Sequence, residues 1–397
     1  MKSIPYGKQF ISEEDIEAVV STLQSDFLTQ GPKIAEFEKR FAKYIGCKHA
    51  VAVANGTAAL HLSAMALNVR EAQKVITTPI TFAASANCVR YCGGGIAFAD
   101  IDPETYLLDI NSVKRLLESA PKGTYSGIIS VDFGGRALNL EEFKKLANEY
   151  DVWIIEDACH APGGFFTDSN GNKQLCGNGK FADLSIFSFH PVKHIACGEG
   201  GMITTNNEEL YKRLINLRTH GITRDADNFL NDKVWAAGNA SIVIEKYPGW
   251  YMEMQELGYN YRLTDFQAAL GISQLKRAEA GLKRRREIAE KYAIAFKGKE
   301  WLKGQSGFVE GHAYHLYIIE VDDRLGLYNF LKTKNIFPQV HYIPTHLMPY
   351  YKQQGFKEND YPNAEKYYSW CLSLPMYPTL TDGELDFVIE TIIGYYK

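Results

Sequence analysis

The stretch VWIIED, residues 152–157, is an apolar run of strand length that ends in two acids. Similar apolar runs lie on both sides of it along the chain, and segments with apolar residues at helical spacing separate them. The pattern predicts strands over 49–54, 75–78, 95–101, 127–132, 152–157, 184–189 and 202–205, alternating with helices over 57–67, 82–91, 111–119, 140–149 and 207–217. This alternation predicts an α/β fold, in which helices cover both faces of a mostly parallel central sheet.

Both ends of the chain extend this core. Two helices, over 12–25 and 33–45, precede the first strand, and the loop FLTQGP (27–32) joins them. A helix that starts near Thr264 and continues, with a possible break, to 296 leads to a second α/β unit, with strands over 315–321 and 337–342 and helices over 326–334 and 382–395. We therefore expect a large domain over 1–260 and, over 261–397, a bridging helix with a smaller C-terminal domain.

Composition argues against several classes of function. With 43 basic and 47 acidic residues the net charge is −4, so no basic excess exists to bind nucleic acid or an anionic membrane surface. No apolar run of about 18 residues predicts a membrane span, and the N-terminus lacks the apolar segment of a secretory signal. The seven cysteines form no C-x-x-C pair, which argues against a zinc site and a disulfide framework. We expect a cytoplasmic protein without a metal site.

Lys193 stands just past a predicted strand, in SFHPVKH (188–194), and the glycine-rich GEGG (198–201) follows it. Ligands of parallel α/β sheets bind at the carboxyl ends of the strands, so this lysine can point into a ligand crevice. Desolvation and neighbouring cations lower the pKa of a lysine, and the neutral amine can form a Schiff base. The simpler interpretation is a surface lysine in a loop.

Asp157 is the last residue of the predicted strand 152–157. A carboxylate at the exit of a buried strand is costly unless it is paired. A fitting partner is the protonated pyridine nitrogen of pyridoxal phosphate, because that cofactor takes a lysine together with such an acid. The alternative is a helix N-cap for 158–162, which Pro162, Gly163 and Gly164 make less suitable.

Two other strand exits carry candidate ligand contacts. In NGTAAL (55–60) the free N–H groups of Thr57 and Ala58, with the Thr57 hydroxyl, can bind an anion, and the Ser188 hydroxyl can add to them. The alternative is an ordinary helix cap. Phe82 follows TTPIT (77–81), where its ring can stack on a flat cofactor or belong to the core.

The segment GYNYRLTD (258–265) precedes the long helix. Asn260 and Arg262 alternate along an extended stretch, so both can face one side, and the fork of Arg262 suits a diphosphate. Thr264 can cap the helix at the same time, so the structural and functional interpretations are compatible.

Taken in order, these motifs resemble the sugar aminotransferases of the DegT/DnrJ/EryC1/StrS family, which have the aspartate-aminotransferase fold (fold type I). The matching pieces cover nearly the whole chain and are FLTQGP, NGTAAL, EDACHA (156–161), SFHPVK, GEGG and GYNYRLTD. Four more pieces are similar to the branch that aminates C4 of the sugar in pseudaminic acid biosynthesis: TTPITF (77–82), SVDFGG (130–135), HYIP (341–344) and SLPMYP (373–378). The segment 222–257 is longer than in many members, and no role follows for it.

The resemblance implies that pyridoxal 5′-phosphate is the cofactor. Lys193 would form the Schiff base and then move protons, and Asp157 would pair with the pyridine nitrogen. His160 would lie on the hydroxyl side of the cofactor, at a position where many members have glutamine. The other cofactor contacts that the resemblance implies are Phe82 on the ring, Thr57, Ala58 and Ser188 on the phosphate, and Asn260.

The resemblance also implies a homodimer with shared active sites, in which Asn260 and Arg262 come from the partner subunit. The substrate contacts would be Arg262, Tyr6, Leu28 and His341.

The reaction that the resemblance implies is transfer of the amino group of L-glutamate to C4 of a UDP-linked 4-keto-6-deoxy-N-acetylhexosamine (UDP-2-acetamido-2,6-dideoxy-β-L-arabino-hex-4-ulose), for surface or flagellar glycans. One alternative is amination of another nucleotide 4-keto sugar, for lipopolysaccharide or O-antigen. A second is a pyridoxal-dependent sugar dehydratase, a branch in which a histidine can replace the lysine that is present here as Lys193. A third is a non-catalytic sensor of nucleotide sugars, against which the complete lysine–acid–phosphate set argues.

Overall fold

The computed structural model describes residues 3–238, 245–303 and 307–397. The helices within these ranges are α1 (Glu13–Leu23), α2 (Pro32–Ile45), α3 (Gly56–Ala66), α4 (Ala84–Tyr91), α5 (Ile110–Glu118), α6 (Leu140–Tyr150), α7 (Glu208–Arg218), α8 (Lys233–Ala236), α9 (Asp265–Leu275), α10 (Ala278–Phe296), α11 (Arg324–Thr333), α12 (Pro349–Lys352), α13 (Pro362–Trp370) and α14 (Asp382–Tyr395). The strands are β1 (Ile4–Pro5), β2 (His49–Val53), β3 (Lys74–Thr77), β4 (Gly95–Phe98), β5 (Tyr125–Val131), β6 (Trp153–Asp157), β7 (Phe165–Thr167), β8 (Lys173–Leu175), β9 (Leu184–Ser188), β10 (Gly201–Thr205), β11 (Ile222–Thr223), β12 (Glu253–Met254), β13 (Tyr317–Glu320), β14 (Ile336–Phe337) and β15 (Cys371–Leu374).

The central sheet has seven strands in the described part of the chain, in the order β2-β10-β9-β6-β5-β3-β4. The five strands from β9 to β4 run parallel, whereas β10 is antiparallel to both β9 and β2. The predicted α/β fold with a mostly parallel sheet is therefore confirmed, and β10 is the exception. Because β6 and β9 are parallel neighbours, their carboxyl ends, which lead to Asp157 and Lys193, open on the same edge.

Helices cover both faces of the sheet because successive strand residues point to opposite sides. Ile128 and Ile154 pack with α5 and α6 in one core, whereas Ile129 and Ile155 pack with α3 and α7 in another. All four isoleucines are fully buried. This two-sided burial explains why the strands read as continuous apolar runs in the sequence.

A smaller unit follows α10, which carries the chain across to it. Its β13 and β15 pair antiparallel, and α14 begins with a capping box between Thr381 and Glu384. The predicted strand 337–342 is wrong for most of its length, because β14 ends at Phe337. Pro338 follows, and a proline has no N–H with which to continue the ladder. The β7–β8 hairpin and β15 were not predicted, and each of these strands has only three or four residues.

No helix in the described ranges is long and apolar enough to span a membrane.

Behind the edge that carries Asp157, two buried carboxyl groups face each other. Carboxylate oxygens of Asp132 and Glu156 lie within 4.8 Å, and Asp132 Oδ2 has no donor among the described residues. Burial raises the pKa of Asp132, and the neighbouring Glu156 carboxyl adds to this increase. Burial also raises the pKa of Glu156, although hydrogen bonds from Ser185 and Gly177 oppose it. From this proximity and these directions we infer that the pair shares one proton.

This shared proton makes stability depend on pH with a defined sign. The unfolded carboxyls lose their protons near about pH 4, whereas the folded pair keeps one, so stability falls as pH rises above that value. Asp132→Asn supplies an amide donor in place of the proton. We expect the variant to lose a slope of up to about 1.4 kcal/mol per pH unit in the free energy of unfolding, measured by urea titration between about pH 5 and pH 8.

Asp168 provides a control of opposite sign. The backbone N–H of Asn172 is the largest of several contacts that hold the pKa of the Asp168 carboxyl below its usual range. Its contribution is present above about pH 4 and is lost as pH falls, so Asp168→Asn should be less stable at neutral pH. An unchanged pH slope in Asp132→Asn would contradict the shared proton.

Candidate active site

A cavity of about 700 Å³ opens where the ends of β6 and β9 meet the N-terminus of α3. This volume lies within the usual range for small-molecule and cofactor sites. Its wall combines residues of the sheet edge with residues of the smaller unit and of the N-terminal segment. The predicted site residues that line it are Tyr6, Thr57, Phe82, Asp157, His160, Ser188, Lys193 and His341.

Asp157 is the buried acid at the end of β6, with 6% of its surface exposed. Its Oδ2 accepts a hydrogen bond from Ser85 Oγ at 2.8 Å, and its Oδ1 accepts the N–H of Cys159 at 3.2 Å. Among the described residues, no cationic side chain lies within ion-pair distance of this carboxylate. The predicted alternative, an N-cap for a helix over 158–162, is wrong, because those residues form no helix. A cationic ring nitrogen in the cavity would give this buried charge the partner it lacks.

Lys193 lies in the loop between β9 and β10, and its backbone N–H bonds His190 O at 2.8 Å. The side chain is partly exposed and lines the cavity together with Asp157. Burial lowers the pKa of Lys193; the thiol of Cys159 and the carboxylate of Asp157 oppose this, and the guanidinium of Arg285 adds to it. A larger fraction of this amine is therefore neutral than in an exposed lysine. The neutral amine can act as a nucleophile or a base.

The N-terminus of α3 forms the end of the cavity near β9 and β10. Gly56 packs so closely on Ser188 that a Cβ at position 56 would lie 3.0 Å from Ser188 Cβ. The Thr57 and Ser188 side chains reach the cavity from this end. The N–H of Ala58, however, donates to Asn55 Oδ1 at 2.8 Å, so the prediction that this group is free for an anion is corrected. Asn55 caps the helix, and the cap and the anion site share one turn.

Phe82 does not belong to the core, because 63% of its surface is exposed. Its ring stands at the cavity wall, 6.2 Å from the ring of Tyr342. The ring-stacking alternative of the sequence analysis is therefore the one that the geometry favours.

His160 lies three residues after Asp157 and is buried in the cavity wall. Its Nδ1 accepts the N–H of Gly134 at 3.2 Å, its Nε2 lies 3.3 Å from the Tyr342 hydroxyl, and its ring stacks on His315 at 4.3 Å. Burial lowers the pKa of His160 well below its usual value, and Lys193 and His341 add to this. The imidazole is therefore neutral at physiological pH.

Tyr6 of the N-terminal segment and His341 of the smaller unit enter the cavity side by side. β1 pairs in parallel with β14, which fixes the N-terminal segment there and brings the Tyr6 ring to 5.0 Å from His341. His341 Nδ1 lies 2.9 Å from the hydroxyl of Ser373, one residue before the end of β15.

Leu28, Asn260 and Arg262 are not among the described residues that line this cavity. Leu28 lies beside the segment that carries the other two residues, because Thr29 bridges Thr264 and the N–H of Asp265 bonds Leu28 O at 2.9 Å. Leu28 and Asn260 are exposed, and Arg262 pairs through its backbone with Val53. Thr264 begins α9 as predicted, in a capping box with Gln267.

The sequence motifs did not predict three contributors, Ser85, His315 and Tyr342. Ser85 lies one helical turn after Thr81, and Tyr342 adjoins His341, so their spacing in the sequence is a signal that could have pointed to both. His315 has no such local signal, since it enters the cavity from the segment before β13.

Comparison with known proteins agrees with this geometry. The family model of the DegT/DnrJ/EryC1/StrS aminotransferase family matches residues 9–393. The chain belongs to this family. It is therefore a sugar aminotransferase that depends on pyridoxal phosphate. The candidate residues fit that cofactor, because a buried acid without a cation and a desolvated lysine face one cavity.

Relatives and solved structures resemble the aminotransferase over nearly its whole length. The spore coat polysaccharide biosynthesis protein SpsC of Bacillus subtilis is 39% identical and covers 99% of this chain and 97% of its own. The UDP-4-amino-4,6-dideoxy-N-acetyl-β-L-altrosamine transaminase of Campylobacter jejuni is 36% identical, with 98% of this chain and 97% of its own covered. Spr1654 of Streptococcus pneumoniae, solved in PLP and PMP forms, superposes in the PMP form with a TM-score of 0.86 at 28% identity over 98% of both chains.

Proposed function

We propose that this aminotransferase transfers the amino group of L-glutamate to C4 of a UDP-linked 4-keto-6-deoxy-N-acetylhexosamine, the sugar of the pseudaminic acid route. The observation that carries the chemical part of this proposal is the common cavity of Lys193 and Asp157 at the ends of neighbouring strands. The name of the Campylobacter jejuni relative supports the choice of sugar. The volume of the cavity, about 700 Å³, leaves room for a sugar beside the cofactor.

When bound, pyridoxal phosphate supplies an aldehyde that takes up the amino group and a ring that accepts electrons. Lys193 holds the aldehyde carbon through its neutral amine and, once released, moves a proton at the α-carbon of the donor and then at C4 of the sugar. Asp157 keeps the ring nitrogen protonated. Phe82 covers one face of the ring and keeps water from it.

The other roles that we propose concern the phosphate and the partner subunit. Thr57, Ala58 and Ser188 hold the phosphate at the N-terminus of α3, with the Ala58 N–H shared with Asn55. The exposed surface that carries Leu28, Asn260 and Arg262 contacts the second subunit of a homodimer and completes the partner's site. The chain works in the cytoplasm, with domains over 1–260 and 261–397.

A second sugar is also supported by a specific observation. SpsC is slightly more similar to this chain, at 39% identity, than the altrosamine transaminase at 36%. Another nucleotide-linked 4-keto sugar, destined for a surface polysaccharide, is therefore the alternative substrate. The two candidates share the cofactor chemistry and differ in the sugar and the nucleotide.

The glutamate half-reaction tests the class of reaction that we propose. We expect the purified, pyridoxal phosphate-loaded protein to be yellow and to lose that absorbance when L-glutamate is added, because the amino group passes to the cofactor. Adding a panel of nucleotide 4-keto sugars should restore the absorbance, and NMR of the product identifies the sugar and the stereochemistry at C4. A protein that binds the cofactor but gives no response to L-glutamate would refute the proposed donor.

A further inference from the structure

Gly134, His160 and Tyr342 form a chain of hydrogen bonds that ends in the cavity. The first contact joins the backbone N–H of Gly134 to His160 Nδ1 at 3.2 Å, and the second joins His160 Nε2 to the Tyr342 hydroxyl at 3.3 Å. Tyr342 is half-buried and lines the cavity. The sequence analysis assigned no role to this tyrosine.

The direction of the chain follows from the chemistry of its members. A backbone N–H can only donate, so Nδ1 of His160 must carry a lone pair and no proton. The groups around the imidazole are Lys193, His341, His194 and His315, and none of them is an acid that would favour a second proton on the ring. The single proton of the neutral imidazole is therefore on Nε2, and it is donated to the Tyr342 oxygen.

The Tyr342 hydroxyl must then donate its own proton elsewhere. Burial raises the pKa of Tyr342, with Tyr6, Asp157 and Cys159 adding to this, so the group stays a phenol. Within the ranges that the structure describes, His160 is the hydrogen-bond partner of this hydroxyl, and that bond uses an oxygen lone pair. The proton is thus left for an acceptor in the cavity.

The order of the strands indicates which part of the cofactor lies there. The phosphate contacts that we propose lie at α3 and Ser188, beside β9 and β10. Gly134 follows β5, on the other side of β6 from β9. In pyridoxal phosphate the phosphate arm and the ring hydroxyl lie on opposite sides of the line from the ring nitrogen to the aldehyde. With the nitrogen at Asp157 and the aldehyde at Lys193, the ring hydroxyl would face the β5 side.

We propose that Tyr342 donates a hydrogen bond to the ring oxygen of the bound cofactor, and that His160 is a positioning residue that fixes the direction of this bond. The inference rests on the proposed cofactor contacts of Asp157 and Lys193.

Absorbance titration of the pyridoxal phosphate-loaded protein tests the proposal. A hydrogen-bond donor to the ring oxygen stabilises its negative charge. It therefore lowers the pKa of the proton that this oxygen would share with the nitrogen of Lys193. We expect Tyr342→Phe to raise the pH midpoint of the absorbance change by about one to two pH units, the size expected for a hydrogen bond to a charged oxygen. The affinity of the apo-protein for pyridoxal phosphate should fall by about tenfold or more.

Two variants of His160 are matched controls for its role. His160→Gln keeps an acceptor for Gly134 and a donor for Tyr342, and should keep the wild-type midpoint. His160→Met fills the space without either group, and should shift the midpoint upward in the direction of Tyr342→Phe. Thermal unfolding of the apo-proteins shows whether each variant folds.

The outcomes separate this inference from the proposed function. If Tyr342→Phe keeps the wild-type midpoint and affinity and only raises KM for the sugar, the hydroxyl serves the substrate and the inference is overturned. The inference is also overturned if the absorbance change of His160→Met has the wild-type pH midpoint. If the wild-type protein itself shows no response to L-glutamate while its absorbance still titrates, the proposed function fails and the Tyr342 comparison remains valid.

Discussion

Lys193→Ala is expected to reduce turnover by about 10²- to 10⁴-fold or more, the range over which one positioned acid–base group contributes. The reason is that both the amine that holds the aldehyde and the base that moves the proton are removed together. Burial lowers the pKa of this lysine, and it also lowers the pKa values of His160, His315 and His341 in the cavity wall. Steady-state and single-turnover rates with L-glutamate measure the loss.

Binding separates the chemical role of Lys193 from a structural one. The variant should still bind pyridoxamine phosphate, because that form needs no bond to the lysine. Lys122→Ala provides a matched control, since Lys122 is exposed in the loop before β5, at the opposite edge of the sheet. Normal turnover in Lys193→Ala would refute the assignment of the lysine.

Asp157→Asn is expected to have the second largest effect. The substitution keeps the size of the side chain and its contacts with Ser85 and the Cys159 N–H, but it removes the charge that, in our proposal, keeps the ring nitrogen protonated. Loss of one partner of a buried ion pair costs about 3–5 kcal/mol. If that cost falls on the transition state, the rate of the glutamate half-reaction falls by roughly 10²- to 10³-fold or more.

Ser85→Ala is the control for this prediction, because it removes only one hydrogen bond from the Asp157 carboxylate and leaves the charge. We expect a smaller loss, of about one to two powers of ten, in line with a single hydrogen bond to a charged group. Equal losses in the two variants would show that the position of the carboxylate matters and its charge does not.

The parts of the site that could be predicted are those that a single strand exit determines. Asp157 and Lys193 follow apolar strands, and parallel packing brings neighbouring strand ends to one edge, so their meeting in one cavity follows from local sequence. The bounds of α14, Asp382–Tyr395, lie within the predicted helix 382–395 for a similar reason, since a capping box fixes its start.

The parts that could not be predicted depend on contacts between distant segments. Tyr342 reaches the cavity only because the chain leaves β14 at Pro338 and returns beside β15, a path that periodicity does not show. The Ala58 N–H was expected to be free, yet Asn55 of the same motif accepts it, because capping competes with anion binding for the same groups. Leu28, Asn260 and Arg262 are not among the described residues that line the cavity, and the role that we propose for their surface depends on a second chain, which no pattern within one chain can place.

The most direct test of the central claim is chemical reduction of the pyridoxal phosphate-loaded wild-type protein with borohydride, followed by digestion and mass spectrometry of the peptides. Reduction makes the bond between lysine and cofactor permanent. The account predicts a pyridoxyl group on the peptide that contains Lys193, and none on that position after prior treatment with L-glutamate. A label on any other lysine, or no label on a yellow protein, would contradict it.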